Sequence, residues 1–128
     1  DVWHEINDKD GVAPEKFEKI YSMLIEEIKE ALPNIGIIIL EPFVMKGSAT
    51  EKLWDGFNSE VRKLAEISKQ IAEEFSLEFV PLQAEFDMLA DDGDTRYWSV
   101  DGIHPTSAGH QVIKENLAKT LGKLTDIQ

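Results

Sequence analysis

The residues best suited to chemistry lie near the C-terminal end of the chain, in the run Asp101-Gly-Ile-His104-Pro105-Thr106. An aspartate and a histidine at this spacing, on a bent loop, can hydrogen-bond to each other. The carboxylate would hold the Nδ1–H of the imidazole and leave Nε2 free to take a proton from a nucleophile. Gly102 permits the bend, and Pro105 keeps His104 out of the helical region, so that its ring can project from the loop. The spacing therefore predicts a base and the carboxylate that orients it.

The same residues also have a purely structural interpretation. Asp101 can form an Asx turn, and His104 can be merely the residue ahead of a helix, because Asp-turn-Pro sequences are common at helix starts. D-x-x-H alone does not decide between the two. The whole run, continued by Ser107-Ala-Gly-His110, is much more specific.

A nucleophile to accompany this pair is not evident. Ser48, in Gly47-Ser48-Ala49, comes after a predicted strand, but G-x-S-x-G is not matched and helix capping explains this serine. Ser22, Ser59 and Ser68 fall within predicted helices, and Ser107 falls in the first turn of one. We do not expect any of these serines to be poised for attack.

Metal and cofactor sites are not indicated either. The absence of cysteine excludes disulfides, thiolate chemistry and cysteine zinc sites. The cluster at residues 91–94 lacks the spacing and the closing glutamate of a calcium loop, so a solvated turn is expected. His4 and His110 have no helical H-x-x-x-H or carboxylate partner in the sequence, and we expect a loop residue and a helix-surface residue. The predicted site thus contains no metal and no organic cofactor.

The length, charge and composition of the chain restrict the class of protein to which it can belong. The 128 residues carry 13 Lys+Arg against 25 Asp+Glu, a formal net charge of −12, and 42% of them are hydrophobic. This length and composition suit one globular domain, and the acidic balance disfavours binding to nucleic acids or anionic membranes. The longest apolar run, Ile35 to Leu40, is too short to span a bilayer, and no signal segment opens the chain. We expect a soluble protein, cytoplasmic or secreted, with no membrane insertion.

The elements that would position the site alternate between helices and covered strands, after a loop over residues 1–13. Helical spacing predicts four helices: from Pro14 to a stop at Pro33, from Ser48 or Thr50 to about Phe75, over Gln83–Ala90, and from Thr106 onward. The first helix has apolar residues that predict one buried stripe: Phe17, Ile20, Tyr21, Leu24, Ile28 and Ala31. Apolar runs predict strands over residues 35–40 and 77–82. This order indicates an α/β protein with three α/β/α layers, although two strands are few for a stable sheet.

The chain resembles the SGNH, or GDSL-type, hydrolases. Residues 101–106, continued by Gly109-His110, are similar to the C-terminal motif of that family, and Asp1-Val2-Trp3 is similar to the segment that begins at the aspartate of its G-x-N-D block. Residues 35–43 resemble the fourth strand of the family and the loop after it. The resemblance implies a flavodoxin-like parallel sheet whose N-terminal strands are missing from this chain. Residues 1–128 would then be the C-terminal part of a single SGNH-hydrolase domain.

The resemblance also implies roles for the residues of the motif. Asp101 would orient His104, and His104 would be the general base for a serine. The G-D-S serine of the family, and the glycine and asparagine of its oxyanion hole, are absent and would lie upstream of Asp1. We therefore expect the full-length protein to be a carboxylic-ester hydrolase with a Ser-His-Asp mechanism, and this chain alone to be inactive. The implied substrates are small acyl esters, especially acetylated carbohydrates, with lysophospholipids or thioesters as the alternative.

Three aromatic residues are candidates for substrate binding. Trp3, Phe43 and Trp98 fall in predicted loops, and loops at the carboxyl ends of parallel strands surround the crevice where ligands bind. They would line an acyl or sugar pocket, or else pack over the end of the sheet as core.

A rival hypothesis from another class is a non-catalytic α/β binding or assembly module. The missing serine favours it for the isolated chain. In either case the strand at residues 35–40 would lack its inner neighbour, and we expect its unpaired edge to recruit another copy of the chain.

Overall fold

The structure is a computed structural model that describes residues 2–125. The helices and strands follow one another in this order: α1 Val2–Asp8, α2 Pro14–Ala31, β1 Ile38–Leu40, α3 Trp54–Glu74, β2 Glu78–Val80, α4 Gln83–Asp91 and α5 Ser107–Thr125. Single turns of 3-10 helix precede α3 at Glu51–Leu53 and come after α4 at Thr95–Tyr97. Among the described helices, none combines the length and the apolar character that crossing a membrane requires.

The two strands pair in parallel and are covered by helices on both faces. Ile38 lies opposite Glu78, and Leu40 lies opposite Val80. Because successive side chains of a strand point to opposite faces, Ile39 packs against α2 and α3, whereas Val80 packs against α4 and α5. The predicted three-layer α/β/α architecture with a parallel sheet is confirmed. Each strand is three residues long, shorter than the apolar runs predicted.

The expected loop at residues 1–13 is wrong, because Val2–Asp8 form α1. Val2 and Ile6 are one helical turn apart and pack on a small core around Phe57 and Val61 of α3. A helix of seven residues has little stability of its own, so this contact with α3 stabilises it. Asp1 lies outside the described residues.

The buried stripe predicted for α2 is only partly right, although the predicted bounds of the helix are correct. Phe17, Tyr21 and Ile28 are half-buried, and Tyr21 packs against the core cluster of Ile25 and Ile39. Ile20 and Leu24 are 53% and 50% exposed, whereas Ile25, which the stripe omitted, is 3% exposed and packs under β1. Because each residue turns a helix by about 100°, Tyr21, Ile25 and Ile28 share one face, and the inward face is rotated toward Ile25 from the centre of the predicted stripe. No element of the described chain covers Ile20 and Leu24.

The third helix begins later than the capping pattern predicts. Ser48 and Glu51 form no capping box, and α3 starts at Trp54. The Thr50 hydroxyl instead donates to the Met45 carbonyl oxygen at 2.6 Å and accepts from the Gly47 N–H at 3.0 Å. These bonds shape a loop over residues 41–50, which we call the β1 loop. The bounds of α4 agree with the prediction to within one residue. The start of α5, where the Thr106 hydroxyl accepts from the Gly109 N–H, also agrees.

Candidate active site

Asp101 and His104 lie in direct contact, and each oxygen of the carboxylate has a separate task. Oδ2 lies 2.6 Å from Nδ1 of His104. Oδ1 accepts the backbone N–H groups of Ile103 and His104, both at 2.8 Å. The Asx turn and the oriented histidine are therefore not alternatives, because one carboxylate makes both.

The electrostatics of the pair favour an ionised aspartate. Partial burial raises the pKa of Asp101, but hydrogen bonds from the His104 ring and from the N–H groups of His104 and Ile103 outweigh it and lower the pKa well below its usual range. The His104 side chain is 81% exposed, whereas that of Asp101 is 32% exposed. With Nδ1 donating to the carboxylate, Nε2 is the ring nitrogen that can accept a proton from a substrate or a nucleophile.

The loop that carries the pair, residues 99–105, is closed at its base. Ser99 and Pro105 form an antiparallel bridge, and the Thr106 N–H donates to the Trp98 carbonyl oxygen at 2.8 Å. We call this segment the histidine loop. It directly precedes α5, so the first turn of that helix anchors one end of the loop.

The histidine loop rests on the β1 loop through three main-chain hydrogen bonds. N–H groups of Met45, Ser48 and Ala49 donate to carbonyl oxygens of the histidine loop. Gly102 sits in the contact with a φ of +89°, and a Cβ there would lie 2.3 Å from the Met45 carbonyl oxygen. Glycine is therefore needed both for the bend, as the sequence predicts, and for the close approach of the two loops.

The β1 loop is held in turn by two polar side chains that the sequence analysis missed. Gln83, 3% exposed, bonds both the N–H and the carbonyl oxygen of Val44 at 3.0 Å. Glu41 accepts the N–H groups of Leu82 and Gln83 at the start of α4. The available signal was their position, since each polar residue comes directly after an apolar run that forms a strand.

A cavity of about 340 Å³ adjoins the pair and is lined by Trp3, Ala49, Asp101, Ile103 and His104. One of the three aromatic candidates, Trp3, thus lies beside His104. Phe43 does not line this cavity, because it stacks on Phe86 with ring centroids 4.0 Å apart. Phe43 and Trp98 pack against the core cluster of Val80, as the core alternative predicts.

Outside this site, His4 differs most from expectation. It is a residue of α1, not of a loop, and its Nδ1 lies 3.2 Å from Asp8 and 4.0 Å from Asp10. The prediction that it lacks a carboxylate partner is therefore wrong. All three groups are exposed. His110 is exposed on α5, as expected, and residues 92 and 93 form an exposed bend.

Comparison with known proteins decides the family. Residues 2–112 match the model of the GDSL-like lipase/acylhydrolase family. The chain belongs to this family. A curated relative, an acetylxylan esterase from Geobacillus stearothermophilus, is 26% identical over 126 residues, which are 95% of this chain and 55% of the relative.

Solved structures of this kind share the fold. A protein described as a GDSL-like lipase from Parabacteroides merdae is 30% identical with a TM-score of 0.86, and the match covers 94% of this chain and 55% of that one. The acetylxylan esterase from G. stearothermophilus is 26% identical with a TM-score of 0.79, covering 94% and 54%. This GDSL-like chain therefore spans about half the length of the relatives it matches.

Proposed function

We propose that this chain supplies the general base and its orienting carboxylate to a serine carboxylic-ester hydrolase. The observation that carries the proposal is the 2.6 Å contact between His104 Nδ1 and Asp101 Oδ2, beside an exposed imidazole. His104 Nε2 takes the proton of a serine hydroxyl as that oxygen attacks the ester carbonyl, and then delivers it to the leaving alcohol. Asp101 maintains the Nδ1–H tautomer and stabilises the imidazolium that forms.

The serine and the oxyanion hole would come from residues outside this chain. Two observations support this part of the proposal. The chain spans 55% of the curated relative, and the solved variants of that acetylxylan esterase include two described as catalytic mutants, in which a serine and an aspartate are each replaced by alanine. Proton transfers among serine, histidine and aspartate require no metal or organic cofactor.

Small acyl esters, and acetylated carbohydrates first among them, are the substrates we propose. The relative that acts on acetylxylan supports this class. The cavity beside His104 offers the apolar side chains of Trp3, Ala49 and Ile103 next to the polar pair. An acyl chain or one face of a sugar ring could pack on such a surface. Lysophospholipids and thioesters are the alternative substrates.

A fluorophosphonate probe tests the proposal, because it labels a serine only when a base activates the hydroxyl. We expect the full-length protein to be labelled on a serine, His104→Gln to abolish labelling, and His110→Ala, the exposed histidine of α5, to leave it intact. A folded full-length protein that stays unlabelled would overturn the proposal and favour the non-catalytic binding module.

A further inference from the structure

A fully buried hydroxyl lies at the centre of the histidine loop. Ser99 is 0% exposed. Its Oγ accepts the Gly102 N–H at 2.9 Å and donates to the His104 carbonyl oxygen at 2.9 Å. Asp101 Oδ1 lies 3.4 Å from the same oxygen and is a second, longer acceptor. One side chain therefore contacts three of the four residues from Asp101 to His104.

These contacts fix the Asp101 carboxylate and the His104 backbone in position relative to each other. The bond to the His104 carbonyl oxygen sets where the backbone of the histidine lies, and the bond from Gly102 sets the bend after Asp101. With Oδ1 surrounded by Ile103 N–H, His104 N–H and Ser99, the carboxylate is turned so that Oδ2 meets the imidazole. We propose that Ser99 is a positioning residue for the Asp101–His104 pair. Its catalytic meaning rests on the proposed function, but its geometric effect does not.

A merely structural serine would act differently, and the chain contains one for comparison. Ser68 is 2% exposed, and its hydroxyl donates to the Leu64 carbonyl oxygen at 2.8 Å within α3. Removing either hydroxyl costs a buried hydrogen bond, so both serine-to-alanine variants should lower the unfolding temperature. Only the loss of the Ser99 hydroxyl should change which ring nitrogen of His104 carries the proton.

The tautomer of His104 is the signal that separates the two roles. In the full-length protein, ¹⁵N NMR of the imidazole nitrogens of His104 at a pH where the ring is neutral reports which nitrogen carries the proton. We expect Nδ1–H to predominate in the unaltered protein. Ser99→Ala should raise the ratio of Nε2–H to Nδ1–H by about fivefold, the change that loss of one ordinary hydrogen bond produces. Ser68→Ala should leave the ratio unchanged.

Ser99→Cys keeps the side chain in place but forms weaker hydrogen bonds, so an intermediate ratio is expected. This variant also decides the matter if Ser99→Ala does not fold. An unaltered tautomer ratio in a folded Ser99 variant, or an equal change in Ser68→Ala, would overturn the proposal.

Activity provides a second measurement that depends on the proposed function. In the full-length esterase, loss of Ser99 should lower kcat by about tenfold with little change in KM, because it disturbs the base and not the substrate contacts. A changed tautomer in a full-length protein that the fluorophosphonate does not label would sustain the positioning role and reject the esterase. An unchanged tautomer ratio in a full-length protein that the fluorophosphonate labels would reject the positioning role of Ser99 and sustain the esterase.

Discussion

Asp101 combines a structural and a chemical task, and the two use different oxygens. Oδ1 closes the turn by accepting two backbone N–H groups, while Oδ2 accepts from the ring of His104. Because all three donors prefer the charged carboxylate, they lower the pKa of Asp101 in the folded chain. An aspartate in the unfolded chain has a pKa of about 3.9. The ionised form therefore stabilises the fold.

This shift predicts a specific acid sensitivity. The stabilisation from Asp101 is fully present above about pH 4 and is lost as the pH falls through the lower folded pKa. Asp101→Asn, which retains an oxygen for the turn, lacks this dependence. In urea unfolding from pH 7 to pH 2, the stability difference between the two proteins should shrink below about pH 4.

The matched control is Asp92→Asn, which removes an equal charge from an exposed bend. Its effect on stability should be small throughout this pH range. A difference in stability between Asp101→Asn and the unaltered chain that persists undiminished at pH 2 would contradict the lowered pKa of Asp101.

At the scale of elements, the site depends on two loops that dock main chain to main chain. The β1 loop donates three N–H groups to the histidine loop, and Gly47 and Gly102 meet so closely that a Cβ on Gly47 would lie 2.2 Å from the Gly102 nitrogen. Gln83 fixes the β1 loop to α4. The position of His104 is therefore set by β1 and α4 as well as by α5.

The glycine contact predicts a large stability loss. Gly102→Ala places a Cβ at positive φ and against the Met45 carbonyl oxygen. We expect a loss of about 3 kcal/mol or more in the free energy of unfolding, measured by denaturant titration. Gly93→Ala, where no atom beyond the adjacent residues lies within 4 Å of the added Cβ, should change this free energy by less than about 0.5 kcal/mol. Equal effects of the two substitutions would show that the loops do not pack as described.

At the scale of the whole molecule, an apolar face of α2 and one edge of the sheet are uncovered in the described chain. Ile20, Met23 and Leu24 of α2 are each about half exposed, at 53%, 49% and 50%. In the described sheet, β1 pairs with β2 alone, so its other edge presents unpaired backbone groups. The end of that strand, Leu40, is 40% exposed. A further strand paired with the free edge of β1, together with a helix packed beside it, would cover these features.

We propose that copies of the isolated chain associate through the free edge of β1 and the exposed apolar face of α2. The net charge of −12 opposes association, so salt, which shortens the screening length to about 8 Å at 0.15 M, should strengthen it. Sedimentation velocity should show a sedimentation coefficient that rises with protein concentration and with salt. Leu40→Lys should weaken the association, because a lysine on an edge strand opposes pairing, whereas Leu53→Lys, at a 51% exposed position outside the strand, should not. A single monomeric species at high concentration would count against this arrangement of the edge.

The sequence by itself determined the order of helices and strands from Pro14 onward, the three-layer class and the pairing of Asp101 with His104. These arise from local causes, namely apolar periodicity, proline at a helix start and a carboxylate within reach of a ring on a short turn. Only the tertiary structure decided that Val2–Asp8 form a helix, that Ile25 and not Leu24 faces the sheet, and that Thr50 shapes a loop instead of capping α3. The tertiary structure alone also decided the roles of Glu41, Gln83 and Ser99, because a polar side chain acquires its role from partners that folding brings to it. The physical reason is that burial and hydrogen bonding between distant segments outweigh local preferences of a few tenths of a kcal/mol to about 1 kcal/mol per residue.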